Sequence, residues 1–273
     1  MPFTLSHAAA VLPFLHEGRG RGPLIASALV AGSLAPDVPF FVESLLPGAF
    51  GFGRVAHRPW ALPTVDVAIA AGLVASWHGL LREPLVALLP DPWADRAEAL
   101  TAPLRKPDQR DAYDAAWFTA SATLGALTHV GWDSFTHHGR AGVRAFPALR
   151  REVAGMPVHQ ALQWGTSAAG LGVLAVAGRR ALGRQALGRQ PTTEPRRIAL
   201  RPAVRRRATA FLAASAVLGA AHRAAREVPR LHARPTLSDL VAIASFGAGT
   251  GAAVGATAYA LAMRVTASRP PGT

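Results

Sequence analysis

Long apolar runs separated by short polar stretches set the pattern of this chain. The clearest uncharged run is residues 240–263, followed by 160–178 and 115–132. Three further runs are less regular: 24–42 is broken by Pro36-Asp37-Val38-Pro39, 62–81 contains Asp66, and 208–221 is short. A bilayer core of about 30 Å takes about 20 mostly apolar residues as helix. The pattern therefore predicts an all-α fold, a polytopic membrane helical bundle of about six helices that are not all equally deep. A soluble bundle of very apolar helices is the alternative for the same pattern. The organisation that follows is a helical membrane core over 1–178, an Arg-rich loop over 179–207 and C-terminal membrane helices over 208–273.

Composition sharpens this picture. Half of the 273 residues are hydrophobic and only 16% are charged, with a mean hydropathy of +0.22. That balance excludes a disordered chain. The absence of cysteine excludes a disulfide framework, thiolate metal sites and a cysteine nucleophile. The net charge of +13 asks for an anionic partner, either nucleic acid or an anionic lipid surface. Ten arginines and one acid, Glu194, fall within 179–207, between two apolar runs and without interleaved aromatics for base stacking. This is the distribution of a cytoplasmic membrane loop, so the expected partner is the lipid bilayer and no nucleic acid; Arg179–Arg207 is read first as enforcing topology, with binding of anionic lipid as the alternative. With both termini inside, 19 of the 29 basic residues lie on the cytoplasmic side.

The stretch Leu127-Thr-His-Val-Gly-Trp-Asp-Ser-Phe-Thr-His-His138 carries the most chemistry. His129, Asp133 and His137 are spaced i, i+4, i+8, which puts all three on one helical stripe. Neutral imidazole and carboxylate both ligate zinc and related divalent ions. A buried hydrogen-bonding cluster is the structural alternative, although ionisable groups near membrane depth are costly and usually functional. Asp37 stands at a helix break between two prolines. His7 and His57 add imidazoles that, taken singly, read as surface or capping residues. The orientation places Asp37, His57, His129, Asp133 and His137 near the outer face; His7 joins them only if the short apolar stretch 3–15 dips into the membrane.

These motifs resemble the DUF4184 family, bacterial membrane proteins of unknown function. The likeness rests on Met1-Pro-Phe-Thr-Leu-Ser-His-Ala-Ala-Ala-Val-Leu-Pro13, Gly32-Ser-Leu-Ala-Pro-Asp37, Thr64-Val-Asp66, Gly125-Ala-Leu-Thr-His-Val-Gly-Trp-Asp-Ser-Phe-Thr-His137 and Gln163-Trp-Gly-Thr-Ser167. It is strong over residues 1–178. The family usually reads Thr-His-Ser where this chain has Ala56-His57-Arg58. The resemblance implies a multi-pass protein of the bacterial cytoplasmic membrane.

The order His, Pro-Asp, His, His-x-x-x-Asp is more distantly similar to the membrane-bound metal-dependent hydrolases of the DUF457 type, and to the zinc-dependent phospholipase C and P1 nuclease superfamily. That likeness implies one divalent metal site from Asp37, His57, His129 and Asp133, zinc being one candidate. A second ion would be held by His7 through a shared Asp133, with His137 as a ligand or an outer partner. The later His-x-x-x-Glu pair of that superfamily has no counterpart, since His159 is followed four residues on by Gln163. Such ions would support hydrolysis of a phosphodiester or lipid-type substrate at the membrane face, with Asp37 or Asp133 orienting or deprotonating water. Arg58, Arg140 and Arg144 could clamp a phosphate. The competing reading is a non-enzymatic membrane protein whose His and Asp groups are structural or interhelical glue. A transporter would need more mid-span polar groups than Asp66, His78 and Asp239.

Overall fold

The computed structural model describes residues 3–91, 93–103, 111–184, 198, 200–231 and 234–267. An apolar 3-10 segment, Thr4–Phe14, leads into a two-stranded ribbon, β1 (Leu15–His16) with β2 (Arg19–Gly20). Helix α1 (Ala26–Leu34) then breaks at a 3-10 turn, Ala35–Asp37, before α2 (Val38–Val42) and α3 (Ala49–Ala56). Pro36 and Pro39 each remove a backbone donor here, so the run expected over 24–42 is two short helices with Asp37 at the joint.

Helix α4 (Val65–Ser76) runs through a π turn into α5 (Arg82–Val86), followed by α6 (Trp93–Thr101). Helix α7 (Ala112–Thr136) is capped at its start by the Asp111 side chain, which accepts from the Asp114 amide. After it come α8 (Ala141–Ala145), a ribbon of β3 (Glu152–Val153) and β4 (Met156–Pro157), and three long helices: α9 (Val158–Arg184), α10 (Pro202–Glu227) and α11 (Leu237–Ala267).

The core crossing is α1 on α7. Gly32 lies against the Ala122 carbonyl and Gly125 against the Leu29 carbonyl, so each helix approaches the other's backbone directly. Ala28, Ala31, Ala35, Ala70 and Ala122 fill the space between α1, α4 and α7. The C-terminal hairpin uses the same device: Gly219, Gly247 and Gly251 face one another across α10 and α11. Small residues allow this close packing, and a Cβ would separate the helices.

The chain is mostly helical, as expected, with two small β ribbons; the bundle of six membrane spans is not shown. Among the described residues two helical stretches are long and apolar enough to cross a membrane, Val65–Val86 and Leu237–Thr266. Helices α7 and α9 have the length, but Ser, Thr, Gly and Gln dilute their hydropathy, and α10 carries arginines along its length. The arginine-rich stretch 179–207 lies partly outside the described residues.

Candidate metal centre

Four elements meet where α1 ends. Asp37 stands at the break between α1 and α2, His57 caps the C-terminus of α3, His129 and Asp133 project from successive turns of α7, and His7 comes from the N-terminal 3-10 segment. All five side chains are buried, Asp37 and His129 completely. The short apolar segment that could not span is packed against α1, α7 and α9, and this brings His7 to the others without a crossing. Its ring stacks on that of His129 at 3.8 Å between centroids.

Two backbone carbonyls fix the imidazoles. His57 Nδ1 donates to the Gly53 carbonyl at 2.8 Å, and His129 Nδ1 donates to the Ser33 carbonyl at 2.7 Å. Each ring therefore turns a lone pair at Nε2 inward. His57 Nε2 stands 3.7 Å from Asp37 Oδ1 and 3.5 Å from Asp133 Oδ2. His129 Nε2 stands 3.5 Å and 3.6 Å from the same two oxygens. None of the four atoms has a hydrogen-bond partner. Two imidazole nitrogens and two carboxylate oxygens thus face one another in a closed ring.

The spacing discriminates between two ways of neutralising such a ring. Charge-assisted hydrogen bonds from protonated imidazoles would draw nitrogen and oxygen to about 2.7–2.9 Å. Nitrogen and oxygen ligands at about 2.0–2.2 Å from a tetrahedral ion lie about 3.3–3.6 Å from each other. The four nitrogen–oxygen separations are close to the second figure, and the residues form two overlapping sets of three, His7 with Asp37 and His129, and His57 with His129 and Asp133, whose ligand atoms lie within 4.8 Å of one another. The donor set, two imidazoles and two carboxylates, is compatible with a metal ion.

The remaining residues extend this arrangement. Thr4 Oγ1 donates to Asp37 Oδ2 at 2.6 Å, which occupies one carboxylate oxygen and leaves Oδ1 to face the histidines. Asp133 Oδ1, the oxygen not used in the ring, lies 3.5 Å from His7 Nε2 and 3.2 Å from His137 Nδ1. Burial, reinforced by the neighbouring His129, pushes the His7 pKa down to about 3; burial likewise lowers that of His137 to about 4. Both rings are therefore neutral near pH 7. Asp66 is fully buried in the first turn of α4, and neither of its oxygens has a hydrogen-bond partner, but it does not join the ring.

His137 differs from the expected helical stripe. Helix α7 ends at Thr136, and His137 is its extended C-cap, with φ −118° and ψ 135°. It still reaches Asp133 because its own amide continues the helical ladder onto the Asp133 carbonyl at 3.1 Å. Its Nε2 lies 2.9 Å from the Gln163 side-chain amide on α9. A small opening of about 10 Å³, room for one water-sized sphere, leads between Phe3, Trp132, Thr136, His137, Gln163 and Ser167 onto His7 and Asp133. Asp37, His57 and His129 lie behind that opening and do not line it.

Sequence reasoning brought together Asp37, His57, His129, Asp133, His7 and His137, and the structure places them in one cluster. It missed Thr4, Ser33, Gly53 and Gln163, which aim those side chains. Ser33 and Gly53 act through their carbonyls, so no residue type signals them. Thr4 could have been found from the Thr-Leu-Ser-His motif around His7.

No curated protein and no solved structure matches the chain, so the more distant likeness to the DUF457-type hydrolases and to the phospholipase C and P1 nuclease superfamily gains no support from relatives. The family model described as "Domain of unknown function (DUF4184)" matches residues 1–261, well beyond the 178 residues over which the motifs run, and the chain belongs to that family.

Proposed function

We propose that this chain is an integral protein of the bacterial cytoplasmic membrane that holds a divalent metal ion between Asp37, His57, His129 and Asp133. Its proposed activity is hydrolysis of a phosphodiester or lipid-type substrate at the membrane face. The observation that carries the reading is the ring of two imidazole nitrogens and two carboxylate oxygens at 3.5–3.7 Å, none with a hydrogen-bond partner, contributed by three separate stretches of chain. Buried polar groups without partners are costly, and a cation satisfies all four at once. Zinc fits the mixed nitrogen and oxygen set, whereas magnesium favours oxygen ligands and retained water.

A divalent ion there would supply Lewis acidity towards a phosphoryl or carbonyl oxygen and would make water more acidic. The protein's own groups divide the other tasks. Asp133 lies at the floor of the opening and has Oδ1 free of the ring, so it orients and deprotonates the attacking water. Asp37 is sealed behind it and tied to Thr4, which leaves it the ligand role. His7 and His137, both neutral, flank Asp133 Oδ1; a second ion held there would take that oxygen, and Asp133 would then bridge the two ions instead of serving as the base. Of the three candidate phosphate clamps, Arg140 is half-buried three residues beyond His137, whereas Arg58, next to His57, and Arg144 are exposed.

The test is metal content of the detergent-purified full chain, compared with His129→Ala and Asp133→Ala. The wild type retains about one or two equivalents of a divalent ion, and both variants lose it while staying monodisperse. Equal content in all three proteins contradicts the reading. Collapse of both variants with no metal present in the wild type assigns the cluster to interhelical glue.

A further inference from the structure

The C-terminal hairpin contributes no ligand to the ring, yet it closes on the end of α2, the short helix that starts directly after Asp37. The last carbonyls of a helix lack intrahelical partners. At the end of α2 they are taken by donors from α10 and α11: Arg223 Nη1 donates to the Phe40 carbonyl and, at 3.1 Å, to Ser44 Oγ. Arg226 donates to the Ser44 carbonyl at 2.9 Å, and Thr250 to the Phe41 carbonyl at 2.7 Å. Arg223 is 3% exposed, stands 5.2 Å over the Phe246 ring and pairs with Glu227 at 2.7 Å.

The clasp reaches the ring through Phe40. Its side chain is wedged between Phe50 and Phe246 and packs 5.7 Å from the His57 ring. It also lies flush on Gly53, where a Cβ would come within 2.2 Å of the Phe40 ring. Gly53 in turn supplies the carbonyl that sets the tautomer and direction of His57. We propose that Arg223 is a positioning residue of the metal pocket: by holding the end of α2 it presses Phe40 onto Gly53 and so aims His57 into the ring. The proposal rests on the metal reading for its functional consequence, but the aim of His57 can be read without any ion. Partners that orient metal-bound histidines typically govern affinity ten- to a hundred-fold.

Two variants of the detergent-purified full chain, Arg223→Lys and Gly53→Ala, are compared with wild type after chelator stripping. The first readout is carbethoxylation of each histidine by diethyl pyrocarbonate, located by mass spectrometry. Both variants label His57 faster, while His129, held from the opposite wall by the Ser33 carbonyl, stays protected. Adding Phe40→Leu to Gly53→Ala returns His57 towards wild-type protection, because the smaller side chain frees room for the new Cβ. The second readout is Co²⁺ titration followed by its visible bands, in which both variants bind about ten- to a hundred-fold more weakly with an altered spectrum. Unchanged His57 labelling overturns the proposal, and so does a parallel rise at His57 and His129, which marks general loosening. Absence of Co²⁺ binding by the wild type removes the metal reading and leaves the labelling result to decide the clasp.

Discussion

Replacing Gly125 by alanine tests whether the α1–α7 crossing sets the dimensions of the ring. A Cβ at this position would lie 2.2 Å from the Leu29 carbonyl and 2.7 Å from the Ser33 amide, against an ordinary contact of 3.4–4 Å. The partners are backbone atoms, so α1 must withdraw from α7 by about 1 Å, and overpacking of this kind costs about 1–3 kcal/mol. For a chain of this size that lowers Tm by about 2–12 °C. The same withdrawal carries Ser33 and Asp37 away from His129. It exceeds the tolerance of about 0.2 Å in metal–ligand distances several-fold. Gly131→Ala is the control, because a Cβ there meets nothing within 4 Å on the same helix. Alanine in place of an unencumbered helical glycine stabilises by about 0.5–1 kcal/mol. Thermal melts and Co²⁺ titration of both variants provide the assay: Gly125→Ala melts lower and binds weakly, while Gly131→Ala melts at or above wild type and binds normally. A Gly125→Ala protein that matches the control in both respects refutes the argument that this contact spaces the ligands.

Thr4→Val removes the 2.6 Å hydrogen bond to Asp37 Oδ2, and metal affinity falls about ten- to a hundred-fold by competition against a fluorescent chelator, whereas Thr4→Ser keeps it. Wild-type affinity in Thr4→Val would contradict the orienting role. Acidification destabilises the metal-free protein. The unfolded chain protonates His7 and His137 near pH 6.5, whereas the folded chain holds their pKa values at about 3 and 4, so stability present above pH 6.5 is lost progressively towards pH 4. Identical melts of stripped protein at pH 7.5 and pH 5 would contradict this. Asp66→Asn leaves metal content at the wild-type level, because Asp66 is buried outside the ring; loss of metal in this variant would show that the ring has been drawn too small.

The helices were legible from the apolar runs, and the break at Asp37 from its flanking prolines. His129 and Asp133 could be paired from their spacing alone, because i and i+4 share a helical face. His137 shows the limit of that argument: the stripe ended one residue early, and the contact with Asp133 survives through the capping hydrogen bond of the His137 amide. His7 and His57 needed the family likeness, since nothing local to either residue marks it as different from a capping histidine. The groups that aim the ligands were hidden for a physical reason. The Ser33 carbonyl meets His129 across 96 residues and Arg223 meets Phe40 across 183, so these contacts arise from tertiary packing without a local sequence signal. The number of spans is not legible in this way, since small and hydroxyl residues that let helices pack closely also lower their hydropathy.

The central claim is that one divalent ion completes the ring of Asp37, His57, His129 and Asp133. X-ray absorption at the metal edge of the purified, unstripped full chain addresses it directly. The account predicts a first shell of nitrogen and oxygen at about 2.0–2.2 Å with the outer-shell scattering of two imidazoles. A shell of oxygen alone without imidazole scattering, or a protein that carries no metal and acquires none on dialysis against zinc, contradicts it.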